Sequence, residues 1–180
     1  TLVGSLLSVF ATLCVSYVLS RRDFILRKIL TPFLVFTMYF SGGLIPVFIL
    51  IRNLGLINNF LVYILPGLVG AYNVMVMRSY IEGIPDSLIE AAKIDGASEY
   101  RILFTIIFPL SLPVVATITL FVGVGQWNAW FDTMLYCGSN QKLTTLQYEL
   151  QKLLTSALSY ASTDSDSAVN SGEAYKTAVT

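Results

Sequence analysis

Four stretches of this chain carry no charged residue: 1–20, 29–51, 53–77 and 102–131. A helix rises about 1.5 Å per residue, so about 20 apolar residues cross the ~30 Å hydrocarbon layer of a bilayer. Each stretch is long enough to do so, which points to an all-α membrane protein. The last is too long for one span. Pro109 and Pro113 divide it into an interfacial helix over 102–108 and a span over 110–130. The expected spans are thus 1–20, 29–51, 57–77 and 110–130.

Composition agrees. Hydrophobic residues make up 55% of the chain and charged residues 12%, a bias that a soluble domain of this length does not need to build its core. Net charge is zero, so no surface for nucleic acid is expected. Histidine is absent, which removes His-based acid–base chemistry, Ser-His-Asp triads and the usual zinc sites. Cys14 lies inside an apolar run and Cys137 just past another; their spacing suits no metal cluster, and both read as small apolar fillers.

Basic residues set the orientation. Arg21, Arg22, Arg27 and Lys28 lie between the first two stretches, only Arg52 between the second and third, and Arg78, Lys93 and Arg101 between the third and fourth. The alternation places the first and third loops in the cytoplasm and the segment 132–173 outside. Within that segment, 144–158 has the spacing of an amphipathic helix, with Leu146, Leu150, Leu153 and Leu154 on one face; it is expected to lie on the bilayer surface or against the bundle, or else to dock an outside partner. The polar run 161–172 reads as a surface loop.

The loop over 78–109 is the most informative segment. Pro85 precedes a helical pattern, Ser87 and Glu90 have capping-box spacing, and Gly96 suits a left-handed stop. Ser98 can then cap a second helix running to Pro109. Ala91 and Ala92 form a small-residue patch over which another protein surface could approach closely.

This segment resembles the EAA loop of bacterial ABC importer permeases. The pattern is Glu-Ala-Ala, three residues, Gly, nine residues, then Ile-x-Leu-Pro. Here it reads Glu90-Ala91-Ala92, then Gly96, then Ile106, Ile107, Phe108 and Pro109, with Phe108 in place of the usual Leu. The surrounding run 84–98, with Asp95 before the glycine, is similar to the carbohydrate-uptake branch that includes the maltose importer's second permease. Phe40 to Pro46 and Gly125 to Asp132 look like a Gram-positive subgroup for oligo- or polysaccharide uptake.

The resemblance implies a type I ABC importer permease helical bundle in the bacterial plasma membrane. Complete members have six spans, so the first and last are expected to lie outside this sequence. It also implies partners: a cytosolic ABC ATPase dimer, a second permease subunit in a heterodimer, and an extracytoplasmic solute-binding protein. Glu90 would contact a basic group on the ATPase, and Gly96 would allow the turn that seats the helix. The chain has no Gly-x-x-x-x-Gly-Lys-Ser/Thr run. ATP and Mg are therefore expected on the ATPase, and no cofactor, metal or catalytic residue on this chain.

Polar and aromatic residues at membrane depth are candidates for the substrate pathway. Tyr72, Asn73, Gln126, Trp127, Asn128 and Trp130 fit, since ring faces and amides suit a sugar; an interfacial aromatic belt is the alternative for the tryptophans. A secondary transporter or channel subunit is the rival reading. It would place ionisable groups inside its spans, and the four stretches have none.

Overall fold

Residues 2–20 form one unbroken helix because no proline or mid-helix glycine interrupts them. The computed structural model describes residues 1–21, 23–138 and 140–159. In chain order the helices are α1 (Leu2–Ser20), α2 (Arg27–Tyr39), α3 (Leu44–Asn53), α4 (Ala71–Glu82) and α5 (Asp86–Ile94). Then come α6 (Glu99–Ile102), a π-helical turn (Leu103–Ile107), α7 (Phe108–Leu110), α8 (Leu112–Asn128), α9 (Phe131–Tyr136) and α10 over 146–159. The chain divides into two units, Thr1–Asn128 and the residues from Ala129 onward, and each is described by itself.

In the first unit α1 is the central element and packs against α4 and α8. Its buried face carries Gly4, Ser5, Ser8, Thr12 and Ser16 between Val9, Leu13 and Tyr17. Small side chains at helical spacing let backbones approach closely. The opposite face leaves Leu2, Leu6 and Phe10 exposed, as a lipid-facing helix would. Toward its C-terminal end, α1 joins an apolar cluster with Met77 and Ile81 of α4, Ile89 of α5, Ile102, Leu103, Ile107 and Ile118.

Among the described residues, α1 alone is long and apolar enough to cross a membrane as a single helix. The span expected over 29–51 is broken. α2 and α3 meet at 117°, and together they pass the length and composition test. The reason is local: Ser41, Gly42 and Gly43 are poor helix formers, and Gly43 takes φ +83°. The interfacial helix and the span of the fourth stretch also form a bent pair, Glu99–Leu110 and Leu112–Asn128, at 81°. The bend falls at Ser111, between Pro109 and Pro113.

The largest departure is the third stretch. No helix runs over 57–77. Residues 54–70 form turns and one 3₁₀ turn, Phe60–Tyr63, and α4 starts only at Ala71 and continues to Glu82. Asn58 is left-handed at φ +58°, the Asn59 side chain accepts from the Leu61 N–H at 3.1 Å, and Pro66, Gly67 and Gly70 follow. Each choice favours turns over helix. Non-helical backbone at membrane depth is tolerated where protein groups satisfy it. Here Ser8 Oγ donates to the Gly67 carbonyl at 3.2 Å, and Gln126 Nε2 donates to the Tyr63 carbonyl at 3.2 Å.

In the second unit the helix expected over 144–158 is present, and its leucine face is the open one, as a helix on the bilayer surface would have it. Leu146, Leu150, Leu153 and Leu154 are exposed, whereas Tyr148 and Gln151 are half-buried. The polar face is held instead. Thr145 and Thr133 share a hydroxyl–hydroxyl hydrogen bond of 3.1 Å, and Tyr148, Gln151 and Lys152 line a groove with Trp130 and Met134. Of the expected external segment, 160–173 lie outside the described residues, as does the polar run 161–172.

Candidate functional site

The loop expected over 78–109 starts later than residue 78, because α4 takes its first residues. Arg78 to Glu82 are helical, and only 83–85 link α4 to α5. The expected capping box is not formed. α5 starts at Asp86, with Pro85 at the N-cap and no side-chain cap. Ser87 is therefore inside the first turn. Pro85 holds φ at −56°, and Asp86 puts a carboxylate at the positive end of the helix.

The stop is built as expected. Gly96 takes φ +76°, its N–H donates to the Lys93 carbonyl at 3.0 Å, and the Ala97 N–H donates to the Ala92 carbonyl at 2.9 Å. These two bonds are the Schellman pattern. A Cβ at Gly96 would meet nothing within 4 Å, so backbone conformation, not space, requires glycine there. Ser98 caps α6, its Oγ accepting from the Arg101 N–H at 3.4 Å.

Burial divides α5 into two faces. Ile89 is 4% exposed within the cluster of Met77, Ile81 and Ile102, and Ala92 packs against that cluster. Glu90, Ala91, Ile94 and Asp95 face outward, Ile94 with 86% of its surface free. The Ala91–Ala92 pair is therefore split: one residue seats the helix and the other leaves the outer face low. Further on, Ile106 is half-buried and Pro109 exposed, while Ile107 is fully buried. The anchors of this arm are Ile102, Leu103 and Ile107. The singled-out Ile106 is not one of them.

Charge holds the arrangement from two sides. At the end of α4, Arg78 Nε donates to Glu82 Oε1 at 2.9 Å and Arg78 Nη1 donates to Thr31 Oγ1 at 2.6 Å. Arg27 Nη2 reaches the same Glu82 oxygen at 2.7 Å, so α2 and α4 are tied just before α5. Beyond Gly96, the Lys93 ammonium lies 2.8 Å from Glu99 Oε1, and the Tyr17 hydroxyl donates to Glu99 Oε2. The Lys93 ammonium first, then the Tyr17 hydroxyl, holds the Glu99 carboxyl below its ordinary value. Sequence reading missed both sets. The i,i+4 spacing of Arg78 and Glu82 was a usable signal; Tyr17 and Glu99, 82 residues apart, left none.

The pathway candidates are not gathered in one place. Gln126 is half-buried and occupied by the Tyr63 carbonyl, and a Cβ on Gly4 would lie 3.0 Å from its Oε1. Asn73 is half-buried beside Gly70, and Tyr72, Trp127 and Asn128 are exposed. Trp130 belongs to the second unit, where its ring meets Phe131 edge-on at 5.9 Å.

Comparison with known proteins places this geometry in a family. The family described as "Binding-protein-dependent transport system inner membrane component" matches residues 4–163. The polygalacturonan/rhamnogalacturonan transport system permease protein YtcP of Bacillus subtilis (strain 168) is 43% identical over 142 residues, 79% of this chain and 50% of that protein. The arabinooligosaccharides transport system permease protein AraQ of Halalkalibacterium halodurans is 33% identical over 157 residues, covering 86% and 56%. A crystal structure of a bacterial ABC transporter involved in the import of the acidic polysaccharide alginate has a chain of the same fold. It matches with TM-score 0.70 and 33% identity, over 82% of this chain and 54% of that one. The chain spans about half the length of the curated relatives it matches. Its described residues hold helices and no strand, and the chain belongs to the family of binding-protein-dependent transport system inner-membrane components.

Proposed function

We propose that this chain is the membrane-spanning part of a permease subunit of an ATP-driven importer for oligo- or polysaccharides. The observation that carries the reading is α5: a short helix seated by Ile89, stopped by a left-handed Gly96 and presenting Glu90, Ala91, Ile94 and Asp95 outward. Of these, Glu90, Ala91 and Gly96 align with fixed positions of the EAA pattern, as does Ala92 on the seated face. Relatives named for polygalacturonan/rhamnogalacturonan, arabinooligosaccharide and galactooligosaccharide transport support the substrate class.

In this reading a cytosolic ATPase dimer holds ATP and Mg, and α5 docks on it through Glu90 and Ala91. A second permease subunit completes the pathway, and an extracytoplasmic binding protein delivers the solute. The protein lies in the bacterial plasma membrane, with α5 in the cytosol and α10 outside; the alternation of basic residues supports that orientation. ATP-driven closure moves α5, and Ile89 and Ile107 pass that motion to α4 and α1. The spans act as an element with two arrangements that nucleotide and loaded binding protein bias. Tyr72, Asn73, Trp127, Asn128 and Trp130 are the residues offered to the sugar path, with Ile106 and Pro109 shaping the arm that returns to the membrane.

The test is uptake by the full-length protein with its ATPase and binding protein in proteoliposomes. Labelled rhamnogalacturonan, arabino- and galacto-oligosaccharides are supplied as probes. ATP-dependent uptake of at least one of them is expected, and Glu90→Lys should abolish it while the permease stays in the membrane. Uptake of none, or undiminished uptake by the variant, counts against the reading.

A further inference from the structure

Two contacts of α5 with the rest of its unit bear on how it can move. One is apolar, Ile89 in the cluster of Met77, Ile81 and Ile102. Apolar contact is non-directional and lets surfaces slide. The other is polar, at the exit from the helix. Glu99, in the first turn of α6, receives Lys93 from the last turn of α5 on one oxygen and the Tyr17 hydroxyl of α1 on the other. Tyr17 is 5% exposed, and the Arg21 guanidinium lies 4.5 Å over its ring. One carboxylate therefore joins three helices. Hydrogen bonds weaken steeply with distance and angle, and those to an ionised acceptor are among the stronger ones, so this junction resists sliding where Ile89 does not.

The Lys93 and Glu99 side chains are 42% and 54% exposed, and ion pairs so exposed contribute little to stability. Their use is better sought in position. α1, at the other end of the junction, is the helix against which α4 and α8 pack.

We propose that Glu99 is a positioning residue which, gripping Tyr17 and Lys93, makes α5 and the cytosolic end of α1 move as one body during the transport cycle. This rests on the coupling role given to α5 above. Load from the ATPase then reaches the bundle by two routes. Ile89 presses on α4, and the Glu99 clasp draws on α1 directly.

The test uses the full-length permease, assembled with its partners and stripped of native cysteines, with Mg-ATP and vanadate as the trapping probe. Spin-label pairs are placed at Ile94 with Val18, across the clasp, and at Ile94 with Phe121, which reports α5 against α8. All three positions are exposed. In the parent, trapping should shift the 94–121 distance and leave the 94–18 distribution narrow. With Tyr17→Phe, Glu99→Ala or Lys93→Met, the 94–18 distribution should broaden by several ångström on trapping while 94–121 still shifts. Glu99→Gln, which keeps an acceptor for Tyr17, should restore much of the narrowness. Lys93→Met touches no buried group, so it guards against misfolding of the other variants. A 94–18 distribution that stays narrow in all three overturns the clasp and leaves the coupling reading standing. A 94–121 distance that does not move in the parent overturns both.

Discussion

Gln126 Nε2 donates to the Tyr63 carbonyl at 3.2 Å, with its carboxamide against the bare Cα of Gly4. This amide bonds to the non-helical stretch 54–70, so a structural role is expected of it. Gln126→Leu removes this hydrogen bond and should cost about 0.5–1.5 kcal/mol, lowering the melting temperature of the purified full-length protein. Its concentration dependence of uptake should match the parent. A changed apparent affinity for the sugar with unchanged melting would return Gln126 to the pathway.

Gly4 gives a paired expectation. A Cβ there would lie 3.0 Å from Gln126 Oε1, the end of a flexible side chain. Gly4→Ala requires the amide to give by a few tenths of an ångström and should cost less than Gln126→Leu, because a flexible side-chain end can move and alanine favours helix. The double variant Gly4→Ala with Gln126→Leu should be clearly less destabilised than the sum of the singles. Full additivity in thermal melts would rule out the shared contact.

Ile89 and Leu88 are neighbours with opposite fates, 4% and 45% exposed. Ile89→Ala removes buried methyl groups and should cost about 2–5 kcal/mol, while Leu88→Ala should cost well under that. Proteolysis of the native protein reports the seating of α5: faster cleavage near 83–97 is expected for the first variant only.

Gly96 has room for a side chain but the wrong backbone for one. Gly96→Ala should cost about 1–2 kcal/mol, the left-handed penalty. Gly96→Asn should be milder, because asparagine visits that region readily. Gly96→Pro, with φ fixed near about −65°, should dismantle the turn and abolish uptake. Equal behaviour of Ala, Asn and Pro variants would show that the turn is not needed.

The clasp carries a pH signature. Glu99 is held below its ordinary value of 4.5 by Lys93 first and Tyr17 second. A carboxyl depressed in the folded state stabilises it fully above the unfolded value, and the contribution disappears as pH falls through the folded value. The melting difference between parent and Glu99→Gln should stay constant between about pH 5 and 8 and shrink as pH falls below 4.5. A difference that grows on acidification would contradict the assignment.

Sequence alone determined what is written in local chemistry. Uncharged runs marked the apolar bulk, and Gly96 and Ser98 marked a stop and a start whose physics lies within a few residues. Helix α1 was legible because nothing in it competes with helical hydrogen bonding. Tertiary structure decided the rest. Residues 54–70 are apolar enough to read as a span, yet they form turns. Carbonyls freed there are met by Ser8 and Gln126, 59 and 63 residues away from their partners. Periodicity could show that the leucines of α10 share a face, but not which face is held, because Thr133 and Trp130 decide that from another segment. Capping-box spacing at Ser87 lost to Pro85, which takes the N-cap position two residues earlier. Tyr17, Lys93 and Glu99 carry no mutual signal along the chain; only folding brings one carboxylate between an α1 hydroxyl and an α5 ammonium.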